Sequence, residues 1–324
     1  MIQKTVCYLL VFILFGRAEA QQTLTYTQFP TMLYAYNPAY AGMDGVIVAN
    51  GLYRNQWSGI GGNVISRHIH AHSPFYQWNG GVGISINNQE SGVHGHNSIK
   101  LSYNYVRVLP SGMIISAGLA GGILQRSLDG RKIRTPGGFY EGGQIVHDDP
   151  TLPVSLESGF APDIDAGIFV AYDRFEAGFS VQQLLGNRIQ LQTEERGGFI
   201  LRRTMSFFSD YEFYEYDDFV FSSAILFRTD LTVYQSDLMV KVQYAQNMNG
   251  GISLRGYNAL SIDALCLFGN FRVSPSFVVG YSYDVTLSTL KLGSRGSHEL
   301  ILRYTFPGPL GTGKREKIIY SPRL

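Results

Sequence analysis

Residues 98–105 read Ser98-Ile99-Lys100-Leu101-Ser102-Tyr103-Asn104-Tyr105, a strict alternation of polar and apolar side chains. Successive side chains of a β-strand point to opposite faces, so this stretch predicts a strand with one apolar and one polar side. Leu238, Val240, Val242 and Tyr244 repeat the pattern against Lys241 and Gln243. A soluble sandwich shares the period. A barrel in a bilayer turns the apolar face to lipid and lines its lumen with the polar one.

The amino-terminal region favours the bilayer. Lys4 precedes the apolar run from Val6 to Phe15, and Ala18-Glu19-Ala20 supplies small residues where a signal peptidase reads. Cleavage is expected between Ala20 and Gln21, making residues 1–20 a signal peptide. Gln21 is not a cysteine, so no lipid is expected there, and the run is too short to span a membrane as an uncleaved helical anchor. Cys7 falls in the removed segment, which leaves Cys266 without an intramolecular disulfide partner. The formal net charge of +1 drops to neutral once Lys4, Arg17 and Glu19 are lost, so composition indicates no nucleic-acid surface. The chain has 37 Gly, 21 Tyr and 20 Phe, which suits close strand packing and a lipid–water interface.

About fourteen candidate strands follow, each near the roughly 9–11 residues that a tilted membrane strand needs. They lie at 46–57, 63–73, 80–88, 98–108, 113–125, 162–172, 175–183, 199–209, 218–228, 237–246, 250–256, 259–269, 276–284 and 297–306. The fold expected is all-β: a transmembrane antiparallel barrel over 44–306 with periplasmic termini. A periplasmic or plug-like lead, 21–43, precedes it, and a periplasmic tail, 307–324, follows. Odd strands then run outward, so 89–97, 126–161, 184–198 and 285–296 become extracellular loops. Leu109-Pro110-Ser111-Gly112, Asp173-Arg174 and Asn247-Met248-Asn249-Gly250 become tight periplasmic turns. The charged, Gly- and Pro-containing stretch 126–161 reads as a surface loop in preference to a lumenal plug.

Two motif sets stand near the ends. Asn37-Pro38-Ala39-Tyr40-Ala41-Gly42 is followed by Tyr53-Arg54-Asn55-Gln56-Trp57. Tyr281-Ser282-Tyr283-Asp284-Val285-Thr286 is followed by Gly296-Ser297-His298-Glu299-Leu300. With His72-Ser73-Pro74 between them, they resemble the PorP/SprF family of outer-membrane proteins of the type IX secretion system of Bacteroidota. The resemblance weakens through 126–161 and 184–217.

Barrel closure brings the two sets together, because a spanning sheet cannot leave an edge unpaired. Alternation then points Arg54, Asp284 and Glu299 into the lumen and Tyr53, Tyr283 and His298 outward, near the external rim of one seam. A charge-paired cluster that fixes closure or shapes the mouth is expected there. The last strand ends at Phe306, with Tyr304, Leu302 and Leu300 on the same face. This resembles a barrel-assembly signal and equally fits an interfacial aromatic.

Five of the seven histidines invite a metal reading, since His68, His70 and His72 share a strand face. His94 and His96 fall in the expected outer loop, at the opposite end from His72, and lumen-facing polar residues account for the set better. Ser297 and His298 are adjacent and so face opposite ways, which prevents them from acting as nucleophile and base. No catalytic site and no cofactor are expected.

The resemblance implies an outer-membrane protein that binds secreted cargo carrying a type B C-terminal domain, such as gliding adhesins, and aids its export or surface anchoring. Partners would be that cargo, outer-membrane lipid and possible contacts to other type IX components. The alternative from a different class is a barrel transporter or porin for a small or hydrophobic solute.

Overall fold

A computed structural model describes residues 25–191, 198–245, 247–257 and 261–308. The proposed signal cleavage at Ala20 and Gln21 and nearly all of the tail, 309–324, lie outside the described residues. The strands are β1 (Ile47–Gln56), β2 (Val64–Phe75), β3 (Gly80–Ser91), β4 (His94–Val108), β5 (Ile114–Asp129), β6 (Leu156–Tyr172), β7 (Phe175–Gln182), β8 (Arg188–Gln190), β9 (Gly198–Ile200), β10 (Thr204–Tyr216), β11 (Phe219–Thr229), β12 (Tyr234–Tyr244), β13 (Met248–Tyr257), β14 (Ser261–Ser274), β15 (Phe277–Thr286) and β16 (Ser297–Phe306). All but β8 and β9 form one closed barrel of fourteen antiparallel strands, sealed where β1 pairs with β16.

Alternation sets the two faces. On β4, Ile99, Leu101, Tyr103 and Tyr105 are exposed on the outer surface, while Ser102 and Asn104 are buried inside. On the outside this is an inverted globular protein: apolar residues such as Leu119, Ile168 and Leu238 are exposed, and buried Asp, Arg, His and Asn line the interior. No helix among the described residues is long and apolar enough to cross a membrane.

The connections segregate by length. At one end lie 76–79, 109–113, 173–174, 217–218, 245–247 and 275–276, with Asn79, Gly112, Asp173 and Asp217 at positive φ in the tight turns. Outward aromatics gather there, with Phe219 and Tyr244 rings 4.7 Å apart and Tyr304 and Phe306 4.6 Å apart, an interfacial girdle. The opposite end carries the long connections 130–155, 183–203 and 287–296 together with the shorter 57–63, 92–93 and 230–233.

Four expected boundaries move. Residues 89–97 are not an open loop: β3 and β4 run on to a two-residue turn at 92–93. Their outer faces turn polar above Ile86 and Ile99. Asn88 Nδ2 donates to Asn97 Oδ1 at 2.7 Å, Asn97 Nδ2 donates to Gln125 Oε1 at 3.0 Å, and Arg67 pairs with Glu90 at 2.8 Å. Side-chain ladders thus carry the sheet past the apolar band. The same extension shortens 126–161 to 130–155. The strand expected at 199–209 is wall strand β10 from Thr204 only, because 198–200 pairs instead with Arg188–Gln190 in a separate hairpin. Met248–Gly250, expected in a turn, opens β13.

Of the two placements expected for the lead, periplasmic or plug-like, the structure shows the second. Residues 25–43 do not hang beneath the barrel; they run through its lumen from the long-loop end, where the Thr25 hydroxyl donates to Gln235, to the short-turn end, with Tyr26, Phe29, Met32, Leu33, Tyr36 and Ala39 all buried. The lumen-facing chain at this diameter leaves room for such a segment. Gly42 and Gly45, both at positive φ, turn the chain at the short-turn end into β1.

Candidate functional site

At the seam, register pairs Arg54 with Glu299 across β1 and β16, and Asp284 with Ser297 across β15 and β16. Arg54 Nη2 lies 2.5 Å from Asp284 Oδ2 and Arg54 Nη1 lies 3.0 Å from Glu299 Oε2, all three side chains being buried. Tyr53 is exposed on the other face, where His298 Nδ1 hydrogen-bonds the Tyr281 hydroxyl at 2.7 Å and packs 5.1 Å from the Tyr283 ring. The seam is therefore a lumenal ion cluster backed by an outward aromatic one.

Two residues outside the sequence motifs complete the cluster. Arg255 Nη1 lies 2.8 Å from Asp284 Oδ2, and its Nε lies 2.6 Å from Asp237 Oδ1. The signal for both was parity: Leu238 and Leu254 face lipid, so Asp237 and Arg255 must face the lumen.

The cluster grips the lead. Glu299 accepts the backbone N–H of Thr27 at 2.9 Å and of Gln28 at 3.0 Å. The Thr27 hydroxyl donates to Asp284 Oδ1 at 2.7 Å and accepts from Arg54 Nη1 at 2.9 Å. Three carboxylates face two guanidiniums, and the two peptide N–H groups compensate the surplus negative charge. Removing one member of a buried pair of this kind costs about 3–5 kcal/mol, because the other is left uncompensated.

Asn37–Gly42 anchors the opposite end of the lead. Asn37 Oδ1 accepts the Ala39 N–H at 2.9 Å and caps a short turn that Pro38 starts, while its Nδ2 donates to the Ile168 carbonyl at 2.8 Å. Asn104 Nδ2 donates to the carbonyls of Ala39 at 2.6 Å and Ala41 at 2.9 Å. Tyr40 packs its ring edge 5.3 Å from Phe169 and 6.0 Å from His72. Lumen-facing glycines make the room: a Cβ at Gly118 would lie 2.6 Å from Ala39 N, and one at Gly167 would lie 2.1 Å from Asn37 Oδ1. Gly42, at φ +73°, sits against Pro74, which explains why His72-Ser73-Pro74 accompanies the motif.

The remaining sequence candidates separate. Trp57, at φ 57°, turns the chain at the rim and gives its N–H to Ser297 Oγ at 3.1 Å, outside the ion cluster. Ser297 and His298 do point to opposite faces. His68, His70 and His72 are buried on the lumenal face of β2, in contact with one another and the lead: His68 Nε2 is 3.1 Å from His70 Nδ1, and Gly42 N donates to His72 Nδ1 at 3.1 Å. His96 is not in an outer loop or at the opposite end from them; it is buried on β4 and shares a cavity lining with His68. His94 opens β4.

A family model for the type IX secretion system membrane protein PorP/SprF matches residues 18–304. The chain belongs to that family. PorP/SprF membership and the barrel together place it in the outer membrane. Its fold is similar to the Ralstonia pickettii toluene transporter TbuX, at 11% identity and TM-score 0.49 over 84% of this chain and 92% of that one. The CymD monoaromatic hydrocarbon channel gives 11% and 0.48 over 87% and 94%. The Acinetobacter baumannii outer membrane protein Omp33 gives 6% and 0.47 over 81% and 98%. No curated protein matches the chain.

The PorP/SprF barrel thus carries the lead as a second layer inside its wall. The longest loop, 130–155, has a structure of its own. The Tyr140 hydroxyl accepts the Thr135 N–H at 2.7 Å and contacts His147 Nδ1 at 3.0 Å, and His147 Nε2 donates to the Pro153 carbonyl at 2.9 Å. Arg134 lies 4.6 Å over the Tyr140 ring, and two hydrogen bonds from Thr151 hold the Asp149 carboxyl below its ordinary range. Phe139 and Val146 bridge backbones and leave both side chains exposed.

Proposed function

We propose that this chain is the outer-membrane partner of secreted cargo carrying a type B C-terminal domain, such as gliding adhesins. It supports that cargo's export or anchoring at the surface by binding, without chemistry. The long-loop end faces the outside, the short turns face the periplasm, and residues 1–20 are removed on export. The observation that carries the reading is the membership of the PorP/SprF family over residues 18–304, joined to a lumen occupied by the chain's own lead. A filled lumen suits a scaffold that presents loops more than a conduit. Loop 130–155, with exposed Phe139 and Val146 beside Arg131, Lys132 and Arg134, offers the mixed apolar and charged surface of a protein contact.

Deleting 131–146 tests the reading. The expected result is a folded, heat-modifiable barrel in the outer membrane with reduced export or retention of one adhesin-like protein, and normal release of other cargo. Wild-type secretion and retention of every substrate would remove the loop from the proposal. A complete knockout that leaves secretion intact and alters only solute uptake, with flux through the purified protein in liposomes, would establish the transporter alternative.

A further inference from the structure

Beside Tyr34 and Tyr36 of the lead, the barrel interior holds a cavity of about 70 Å³ walled by β2 to β6 and by β7, β10 and β11. Three cations line it: Lys100, Arg126 and Arg228. Two are committed. Lys100 Nζ lies 2.7 Å from both Asp163 and Asp165, and Arg228 lies 5.1 Å over the Tyr36 ring. Asp163 and Asp165 are the only two carboxylates in the lining among the described residues.

Arg126 has no carboxylate within ion-pair distance and no hydrogen-bond acceptor among the described residues, and its Nε is buried without a partner. It sits on the lumenal face of β5, four residues beyond the Gly122 that pairs with Lys100 and Asp163, so that acidic pair is on the order of 13 Å away along the strand; Glu157, on the same face of β6 two residues from its ladder partner Gly159, forms no ion pair with Arg126. Its ladder partner is His96, which is buried and lines the same space. Thr204, only 2% exposed, lines the cavity from β10 with its Oγ unpartnered.

Arg126 is half-buried, with its Nε shielded and its remaining donors free to meet a ligand in the cavity, and the planar fork of a guanidinium matches a carboxylate. We propose that this cavity is a binding site for a small carboxylate anion, held by Arg126 with His96 and Thr204 as neighbouring polar groups. The cavity has room for a molecule of acetate size and not for a protein segment. The inference is independent of the cargo reading, since it rests on the barrel interior alone.

The test uses the full-length barrel purified in detergent, titrated with acetate, with inorganic phosphate and with chloride, and read by thermal unfolding and by saturation-transfer NMR of the added acetate. Acetate should give a saturable signal and a rise in Tm that chloride at equal ionic strength does not. Arg126→Gln should weaken it about tenfold or more, as loss of a charge-assisted contact does. Arg174→Gln, an exposed cation in the 173–174 turn, should leave it unchanged. Thr204→Val, nearly isosteric, supplies a second variant should Arg126→Gln fail to fold, and should also weaken the acetate signal. Equal responses to acetate and chloride, or an acetate signal that survives both cavity substitutions, would overturn the site. Phosphate bound in preference to acetate at the same residues would overturn the assigned ligand class.

Discussion

Glu299, on the last strand, accepts the backbone N–H of Thr27, 272 residues earlier in the chain, at 2.9 Å. The same carboxylate bonds Arg54 of the first strand, so one side chain joins barrel closure to retention of the lead. Seam and lead are thereby coupled: neither ends of the sheet nor the lumenal segment can be loosened without stranding charge.

Glu299→Leu should accordingly lower the temperature at which the folded barrel loses its compact form on a gel. Arg54 keeps Asp284 but loses one of its two carboxylates, and two peptide N–H groups lose their acceptor. A loss of about 3–5 kcal/mol is expected for the single change. Arg54→Leu combined with Glu299→Leu should cost less than the sum of the two, because the pair is removed together. Unchanged melting in both Glu299→Leu and Asp284→Leu would eliminate the clamp.

Much of this was legible beforehand, for one reason. Strand parity is a local property, and at positions such as Arg54, Asp284 and Glu299 it fixes the face whatever the rest of the chain does. Asp237 and Arg255 obey the same parity and were readable from Leu238 and Leu254, yet no motif drew attention to them. A plug-like lead was one of two placements open, and what could not be read was the choice between them and its path. Residues 25–43 pack against lumenal glycines scattered from Gly81 to Gly178, and a glycine in a strand looks the same in sequence whether it bends the strand or makes room for a neighbour. The 92–93 hairpin was hidden because polar outward residues such as Asn88 and Asn97 resemble a loop until the sheet is seen to rise past the apolar band.

Those glycines give a second prediction. Gly167→Val should displace Asn37, whose Oδ1 lies where the new Cβ must go, and free the lead while the wall remains paired. A cysteine placed at Tyr34 in a Cys266→Ser background should then react with a maleimide in the folded barrel, and should be protected without the glycine change. Gly121→Ala, facing outward with open space around it, should leave both protection and stability unaltered. Equal labelling with and without Gly167→Val would separate the glycine from the lead.

Orientation is tested by tags. An epitope inserted near Gly142, in the longest loop, should be detected on intact cells, whereas one in the 109–113 turn should need permeabilised outer membranes. A tag following Gly313 should behave like the second. Detection of the turn or tail tag on intact cells would invert the barrel.

The last prediction concerns how the loop presents its surface. His147 donates through Nε2 to the Pro153 carbonyl, so its Nδ1 is the acceptor and the Tyr140 hydroxyl donates to it. That hydroxyl in turn accepts the Thr135 N–H, leaving three segments of the loop tied through one oxygen. Tyr140→Phe removes the oxygen and keeps the ring under Arg134, so the barrel should melt as before while the loop loses about 1–3 kcal/mol of local stability. Protease cleavage between Thr135 and Asp148 should quicken in the variant, with the gel shift of the barrel unchanged. If the ordered loop is the cargo surface, export or retention of the adhesin-like cargo should fall in the same strain, although no exposed contact residue has been altered. Faster cleavage with normal cargo handling would show that the loop's order is not what the cargo reads.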